Sequence, residues 1–235
     1  RTRALIPPPA RLRSSPMCCR FFRHGVSWAE YHDALNLLGT EEGLELDAAY
    51  NIAPTQTAPI IRIKPDSDDL EMLSARWGLI PSWWNKPKSE LKFSPFNARI
   101  ETAAEKPMYR GAFKRQWCLV PASGIYEWTG PKGDKTPYAI CVRMRRWCCM
   151  LGLWDEATVE CQCVTTFTIL TTQPNDFWSR IHNRMAVILN WGTYRQCLET
   201  HSLVDAIDEA DLYAWQIGPE VGNVRNQGED LIAEV

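Results

Sequence analysis

No run of about eighteen consecutive apolar residues occurs in this chain, so it has no helix of membrane-spanning length and no membrane partner is expected. Neither C-x-x-C nor H-x-x-x-H spacing occurs among its nine cysteines and four histidines, which removes the common zinc patterns. Cys148 and Cys149 are adjacent, and Cys161 and Cys163 stand at i and i+2. They read as small hydrophobes buried in strands, so no metal and no cofactor is expected. An odd cysteine count in 235 residues does not suit a disulfide-stapled secreted module. A reducing compartment is expected, cytoplasmic or, in a eukaryote, nuclear. The formal net charge of −2 excludes a broadly basic coat, yet a nucleic-acid groove needs only a few Arg and Lys on one face.

The first sixteen residues, RTRALIPPPARLRSSP, hold four Arg and four Pro and no acidic residue. That composition builds neither a core nor a regular helix, so residues 1–16 are expected to be a disordered prefix, either a misassigned start or a propeptide. Residues 17–235 are expected to form one domain, of a size that supports a real core.

After Met17 the text changes. WAEYHDALNLLG places Trp28, Tyr31, Leu35 and Leu38 at helical spacing with Gly39 as a stop, which predicts an amphipathic helix over 28–38. TAPIIRI, SARWGLI, YAICVR, CCMLGLW and VTTFTILTT are rich in β-branched and apolar residues and predict strands. DFWSRI and WGTYRQCLETH predict short helices. Strands outnumber helices without βαβ alternation, which predicts an α+β fold around a mixed, barrel-like sheet.

Polar groups inside apolar text are the candidate functional residues. In CLVPASGIYEWTG, Glu127 lies between Tyr126 and Trp128. A carboxylate buried there exchanges protons near neutral pH, while on an edge strand it would simply face water. In RIHNRMAVIL, His182 precedes Arg184 by two residues, a candidate acid/base against the alternative of a structural histidine. In SPFNARIET, Asn97 and Arg99 offer an amide and a guanidinium, or a loop cap and a surface charge. Trp83 and Trp84 are consecutive, so on a strand they cannot both face one core. At least one is a candidate platform for an unpaired base.

In chain order, MCCRF, YNIAPTQ, RWGLIPSWW, FNARIET, LVPASGIYEW, TILTT, IHNRMAVIL and VGNVRNQGEDLI resemble the signature blocks of the SOS response-associated peptidase family. These proteins attach covalently to abasic sites in single-stranded DNA. The resemblance runs from Met17 nearly to Val235, and it implies a single α+β domain with a β-rich core and a positively charged DNA channel. It also implies roles. Cys18 matches the residue that becomes the N-terminus, and with Asn97, Glu127 and His182 it would form the active site. Arg20, Trp83, Trp84, Arg99 and Arg184 match positions that hold phosphates or stack on bases. A monomer acting on single-stranded DNA with abasic sites is expected. Two positions depart from the family pattern: Cys19 stands where glycine is usual, and Ala186 where proline is usual.

The implied chemistry needs these residue types. A ring-opened abasic sugar is an aldehyde, and a 1,2-aminothiol takes its carbon twice, first through nitrogen as an imine and then through sulfur as a thiazolidine. An α-amine, with a pKa of about 7.7–8.0, is partly unprotonated at neutral pH. Glu127 would position it and shuttle its proton, His182 would protonate the opening ring oxygen, and Asn97 would orient Cys18 or the sugar. With residues 1–17 attached, the Cys18 nitrogen is an amide and forms no imine, so either Met17 is the start or the prefix is clipped. The first is favoured. Three functions are thus weighed: a slow abasic-site crosslinker with lyase-type chemistry, a self-processing thiol peptidase, and a noncatalytic single-strand binder.

Overall fold

The structure, a computed structural model, describes residues 20–39, 44, 46–87, 90, 91 and 95–235. The prefix, Met17, Cys18 and Cys19 lie outside them. Strands are β1 (Arg20–Arg23), β2 (Leu37–Leu38), β3 (Ala49–Ile52), β4 (Thr57–Ile63), β5 (Leu70–Trp77), β6 (Asn97–Arg99), β7 (Trp117–Ala122), β8 (Gly124–Thr129), β9 (Thr136–Val142), β10 (Cys148–Val159), β11 (Gln162–Thr172), β12 (Met185–Ala186) and β13 (Leu212–Gln216). Helices are α1 (Trp28–Leu35), α2 (Ile100–Ala103), α3 (Arg110–Arg115), α4 (Asp176–Ser179) and α5 (Tyr194–Thr200). Among the described residues no helix is long and apolar enough to cross a membrane.

Strands β5, β4, β7, β10 and β11 pair in that order, and β11 returns to pair with β5. The ring is therefore a closed five-stranded barrel, mixed because the closing β11–β5 pair is parallel while the others are antiparallel. The expected barrel-like α+β fold is what forms. Beside it lies an antiparallel five-stranded sheet in the order β13-β9-β8-β1-β3. Phe21, Ile125 and Ile140 of that sheet share one core cluster with Ile60, Val120 and Met150 of the barrel strands. The barrel's other face packs on helical residues such as Tyr31, Ala112, Tyr194 and Leu198. The sheet's far face, with Phe22 and Tyr126, is covered by Val221 and Leu231 of two C-terminal 3-10 turns, Pro219–Gly222 and Glu229–Ile232. Gly124, opposite Phe22 in the β1–β8 register, makes that packing possible. A Cβ there would meet Cys141 Sγ at 2.6 Å and the Phe22 ring closer still.

Elements depart from the sequence reading at their ends, for local reasons. Helix α1 begins with a capping box, in which the Ser27 hydroxyl accepts the Glu30 amide and the Glu30 carboxylate accepts the Ser27 amide at 2.9 Å. It ends at Leu35, four residues before Gly39, because Asn36 takes the left-handed conformation (φ 50°, ψ 54°) and frees Leu37–Leu38 to pair with β5. The strand expected over SARWGLI begins earlier, at Leu70, and ends at Trp77. Five described cysteines, 118, 141, 148, 149 and 197, are buried as expected, but Cys161 and Cys163 are exposed. Cys161 sits with Glu160 in a left-handed hairpin turn (φ 64° and 52°). Burial pushes Cys148 up to about 12 and raises Cys118, Cys141 and Cys149 well above the usual thiol range, so these are inert hydrophobes. Among the described residues no group of His, Cys, Asp and Glu could hold a metal.

Candidate active site and nucleic-acid interface

Glu127 sits mid-way along β8, which is flanked by β1 and β9. It is therefore not on an edge, and the water-facing alternative is removed: the residue is 1% exposed. Strand alternation puts it on the face of Ile125, a member of the shared core, while Tyr126 faces the other cluster. Arg20 opens β1 opposite Tyr126, one register step from Glu127. Tyr138, the residue opposite Glu127, belongs to the same core cluster as Trp178, Ile181 and Met185, which flank His182. The carboxylate strand and the imidazole segment thus abut one apolar body.

His182 is held differently. Asn175 caps the single turn of α4 by accepting the Trp178 amide at 2.9 Å, and the chain leaves that turn with the His182 amide donating to the Trp178 carbonyl at 2.9 Å. The imidazole is 3% exposed. Its Nδ1 lies 3.1 Å from the Arg184 carbonyl and 3.2 Å from the Arg184 amide. Its Nε2 is buried and has no hydrogen-bond partner among the described residues. Burial lowers the His182 pKa below the ordinary 6.5. The Arg184 backbone contact works against that shift, and the Lys135 charge, at the turn between β8 and β9, adds to it. Burial thus favours the neutral ring, and Nε2 is its nitrogen without a hydrogen-bond partner among the described residues.

Arg184, read from sequence as a phosphate contact, turns its guanidinium onto protein. Nη1 and Nη2 each donate to a Glu101 carboxylate oxygen at 2.8 Å, and Nη2 also donates to the Thr171 carbonyl at 2.7 Å. Thr171 stands opposite Arg99 on one side of β11 and opposite Ala186 on the other. Asn97 and Arg99 of β6 therefore meet the His182 segment through one strand. Asn97 is half-buried and Arg99 exposed. The chain before Asn97 is pinned by Trp77, whose indole N–H donates to the Phe96 carbonyl at 2.8 Å, and the Tyr109 hydroxyl donates to the Asn97 carbonyl at 3.2 Å.

Arg20 is also engaged. It donates to the Asn51 carboxamide oxygen at 3.1 Å, to the Val221 carbonyl, and to the Gly222 carbonyl at 2.9 Å, and it lies over the Trp128 ring at 5.6 Å. Asn51 has 0% exposure, and its Nδ2 lies 3.1, 3.0 and 3.2 Å from the carbonyls of Val221, Asn223 and Asn226. Gln227 closes the latch, its Oε1 accepting the Tyr50 and Asn51 amides. Sequence reading passed over Asn51, Gln227, Trp77 and Glu101 as individual residues, although each lies in a quoted block. A polar residue within the short strand AYNI is the one signal that could have found Asn51.

The tryptophan pair lies in a turn beyond the end of β5, not on a strand, and its two rings differ in exposure. Trp83 is 57% exposed. Trp84 is half-buried against Ile80, Ala157 and Val159, and its indole N–H donates to the Lys86 carbonyl at 2.8 Å. Cys18 and Cys19 lie outside the described residues.

A carboxylate at 1% exposure and an imidazole at 3% exposure, carried on a mixed barrel with a flanking antiparallel sheet, make this an α+β protein with two buried ionisable groups on one apolar core. The chain belongs to the SOS response associated peptidase family, whose model matches residues 17–224. It is 32% identical over 230 residues to the abasic site processing protein YoqW of Bacillus subtilis, covering 92% of this chain and 99% of that protein. It is 34% identical over 199 residues to the abasic site processing protein YMR114C of Saccharomyces cerevisiae, covering 79% of this chain and 52% of that protein. A crystal structure of a protein from Bacteroides thetaiotaomicron superposes with a TM-score of 0.70 at 26% identity, over 81% of this chain and 87% of that one.

Proposed function

We propose that this chain processes abasic sites in DNA by forming a covalent link from Cys18, as a free N-terminal residue, to abasic sites in single strands. The observation that carries the reading is Glu127, a carboxylate at 1% exposure on the sheet face of Ile125, whose core cluster also holds Trp178, Ile181 and Met185 around His182, in a chain whose relatives bear the name abasic site processing protein. One residue separates Cys18 from Arg20, and covalent connectivity keeps them within about 7 Å of each other.

The amine of Cys18 adds to the abasic aldehyde, water leaves to give an imine, and the thiol adds to the imine carbon to close a thiazolidine. Each step moves a proton that Glu127 and His182 are suited to carry. Glu127 takes it from the attacking amine. His182, through Nε2, delivers one to the sugar ring oxygen as the ring opens. Asn97 and Arg99 line the approach on β6, and Trp83 offers its exposed face to a neighbouring base. No metal enters any step.

The test is a denaturing gel after incubation with single-stranded abasic DNA. A protein beginning at Cys18 should give a heat-stable adduct. One that retains residues 1–17 should give none, and Cys18→Ser should stop at an imine that borohydride traps. Cleavage of the prefix without any adduct would point instead to a self-processing peptidase. Salt-sensitive binding alone would point to a noncatalytic binder. A stable adduct from unprocessed chain would sink the N-terminal cysteine mechanism.

A further inference from the structure

The Glu101–Arg184 pair is more than a surface ion pair. Arg184 is buried, at 8% side-chain exposure against 38% for Glu101, and both ends of its fork meet the carboxylate at 2.8 Å. Such bidentate geometry fixes direction as well as distance. A guanidinium is tolerated in a buried position only with its counter-charge in place. The fork also reaches the Thr171 carbonyl at 2.7 Å, so the Arg184 side chain is drawn toward β11 and α2. Its backbone is thereby left with both polar groups turned to one atom, His182 Nδ1, at 3.1 and 3.2 Å. Glu101 is the second residue of α2, which follows directly on β6, the strand of Asn97. One carboxylate therefore ties the Asn97 strand to the His182 ring.

We propose that Glu101 is the positioning residue of the site: by clamping Arg184 it holds the Arg184 amide where it donates to His182 Nδ1, which keeps the ring proton on Nε2 and aims it at the reacting sugar. The group acts through Arg184 and touches no substrate. Its rate consequence rests on the abasic-site reading, whereas its effect on the imidazole does not. The charge that bears on the ring is Lys135 from the β8–β9 turn, while Arg184 meets it through its backbone, with its guanidinium paired to Glu101 of α2.

Two measurements on the chain beginning at Cys18 test this. The first is the pair of side-chain 15N signals of neutral His182, assigned with His182→Gln and recorded without DNA. In the wild type they should be widely separated, as in one fixed tautomer. In Glu101→Gln they should draw together as the ring samples both. Glu101→Asp keeps the charge and should retain part of the separation; it also serves if Glu101→Gln does not fold. The second is a double-mutant cycle on crosslinking rate. Glu101→Gln should slow the wild type by roughly tenfold, toward the 10²-fold that a small misplacement of a reacting group costs, but change a His182→Ala protein by less than about twofold, because the two act as one unit.

Unchanged 15N signals in Glu101→Gln would overturn the proposal, as would equal slowing with and without His182. If the wild type forms no adduct, the function proposed above fails, and the 15N signals alone still decide whether Glu101 sets the ring.

Discussion

Glu127 and His182 reach similar burial by opposite routes. Glu127 rides a regular strand, paired to Tyr138 in the β9 ladder, with Tyr126 beside it paired to β1. Its direction follows from counting residues along β8. His182 lies on an irregular link between the four-residue α4 and the two-residue β12, and its ring is fixed by contacts with Arg184, which is fixed in turn by Glu101, 83 residues away in sequence. A side chain held by a ladder withstands the loss of any one neighbour. One held by a relay depends on each member of it.

The sharpest break of this contrast is to remove each group in turn. Glu127→Gln keeps shape and backbone pairing, and His182→Ala removes the ring. Each should slow adduct formation by roughly 10² to 10⁴, the range for a positioned acid or base. Stopped time courses with single-stranded abasic DNA measure it. Glu127→Gln should leave the unfolding midpoint nearly unchanged, because the ladder remains. Wild-type rates in both variants would make the two residues structural and remove the proton-transfer scheme.

How much of this was legible in the sequence follows the same division. Strand β4 was read to the residue, since TAPIIRI is a contiguous β-branched and apolar run. The helices α2 and α3 were not anticipated: four and six residues long, they carry too few turns to impose a period, and packing on the barrel decides them. Among site residues, the text around Glu127 and His182 drew attention because charge interrupts apolar runs. The partners of Arg184 were not readable, because Glu101 lies in another block and only the β6–β11–β12 register brings the two together. The alternation rule did not apply to Trp83 and Trp84, because β5 ends at Trp77 and the pair sits in a turn.

A smaller effect separates the two regions by pH. His182 takes up a proton near 6.5 in the unfolded chain and only at lower pH in the fold, because burial disfavours its charged form. The native state then binds fewer protons than the unfolded state below 6.5, and stability falls as pH drops through that window. Glu101, held below its ordinary 4.5 by the Arg184 hydrogen bonds, adds a second loss as pH falls further. Urea midpoints measured from pH 7.5 to 4 should decline in two stages. His182→Gln should remove the first stage and Glu101→Gln the second. A midpoint flat down to pH 5 would mean that His182 titrates alike in both states.

The smallest expected effect concerns two residues that differ by one position. Trp84 packs on Ile80, Ala157 and Val159 and spends its indole N–H on Lys86, whereas Trp83 presents more than half its surface to solvent. Their rings are 6.1 Å apart and tilted by 57°, so they do not form one stacked platform. Removing a packed ring costs stability, while removing an exposed one costs only the ligand that would lie on it. Trp83→Ala should therefore leave the unfolding free energy within about 0.5 kcal/mol and weaken single-stranded DNA binding by about 1 kcal/mol, the low end for one base on one aromatic ring. Trp84→Ala should do the reverse, lowering stability with little change in affinity beyond that loss. Fluorescence anisotropy with an intact single strand, beside urea unfolding, reads both quantities. Equal losses of affinity in the two variants would mean that the ring against the barrel also meets DNA, and that exposure at this edge does not mark the contact.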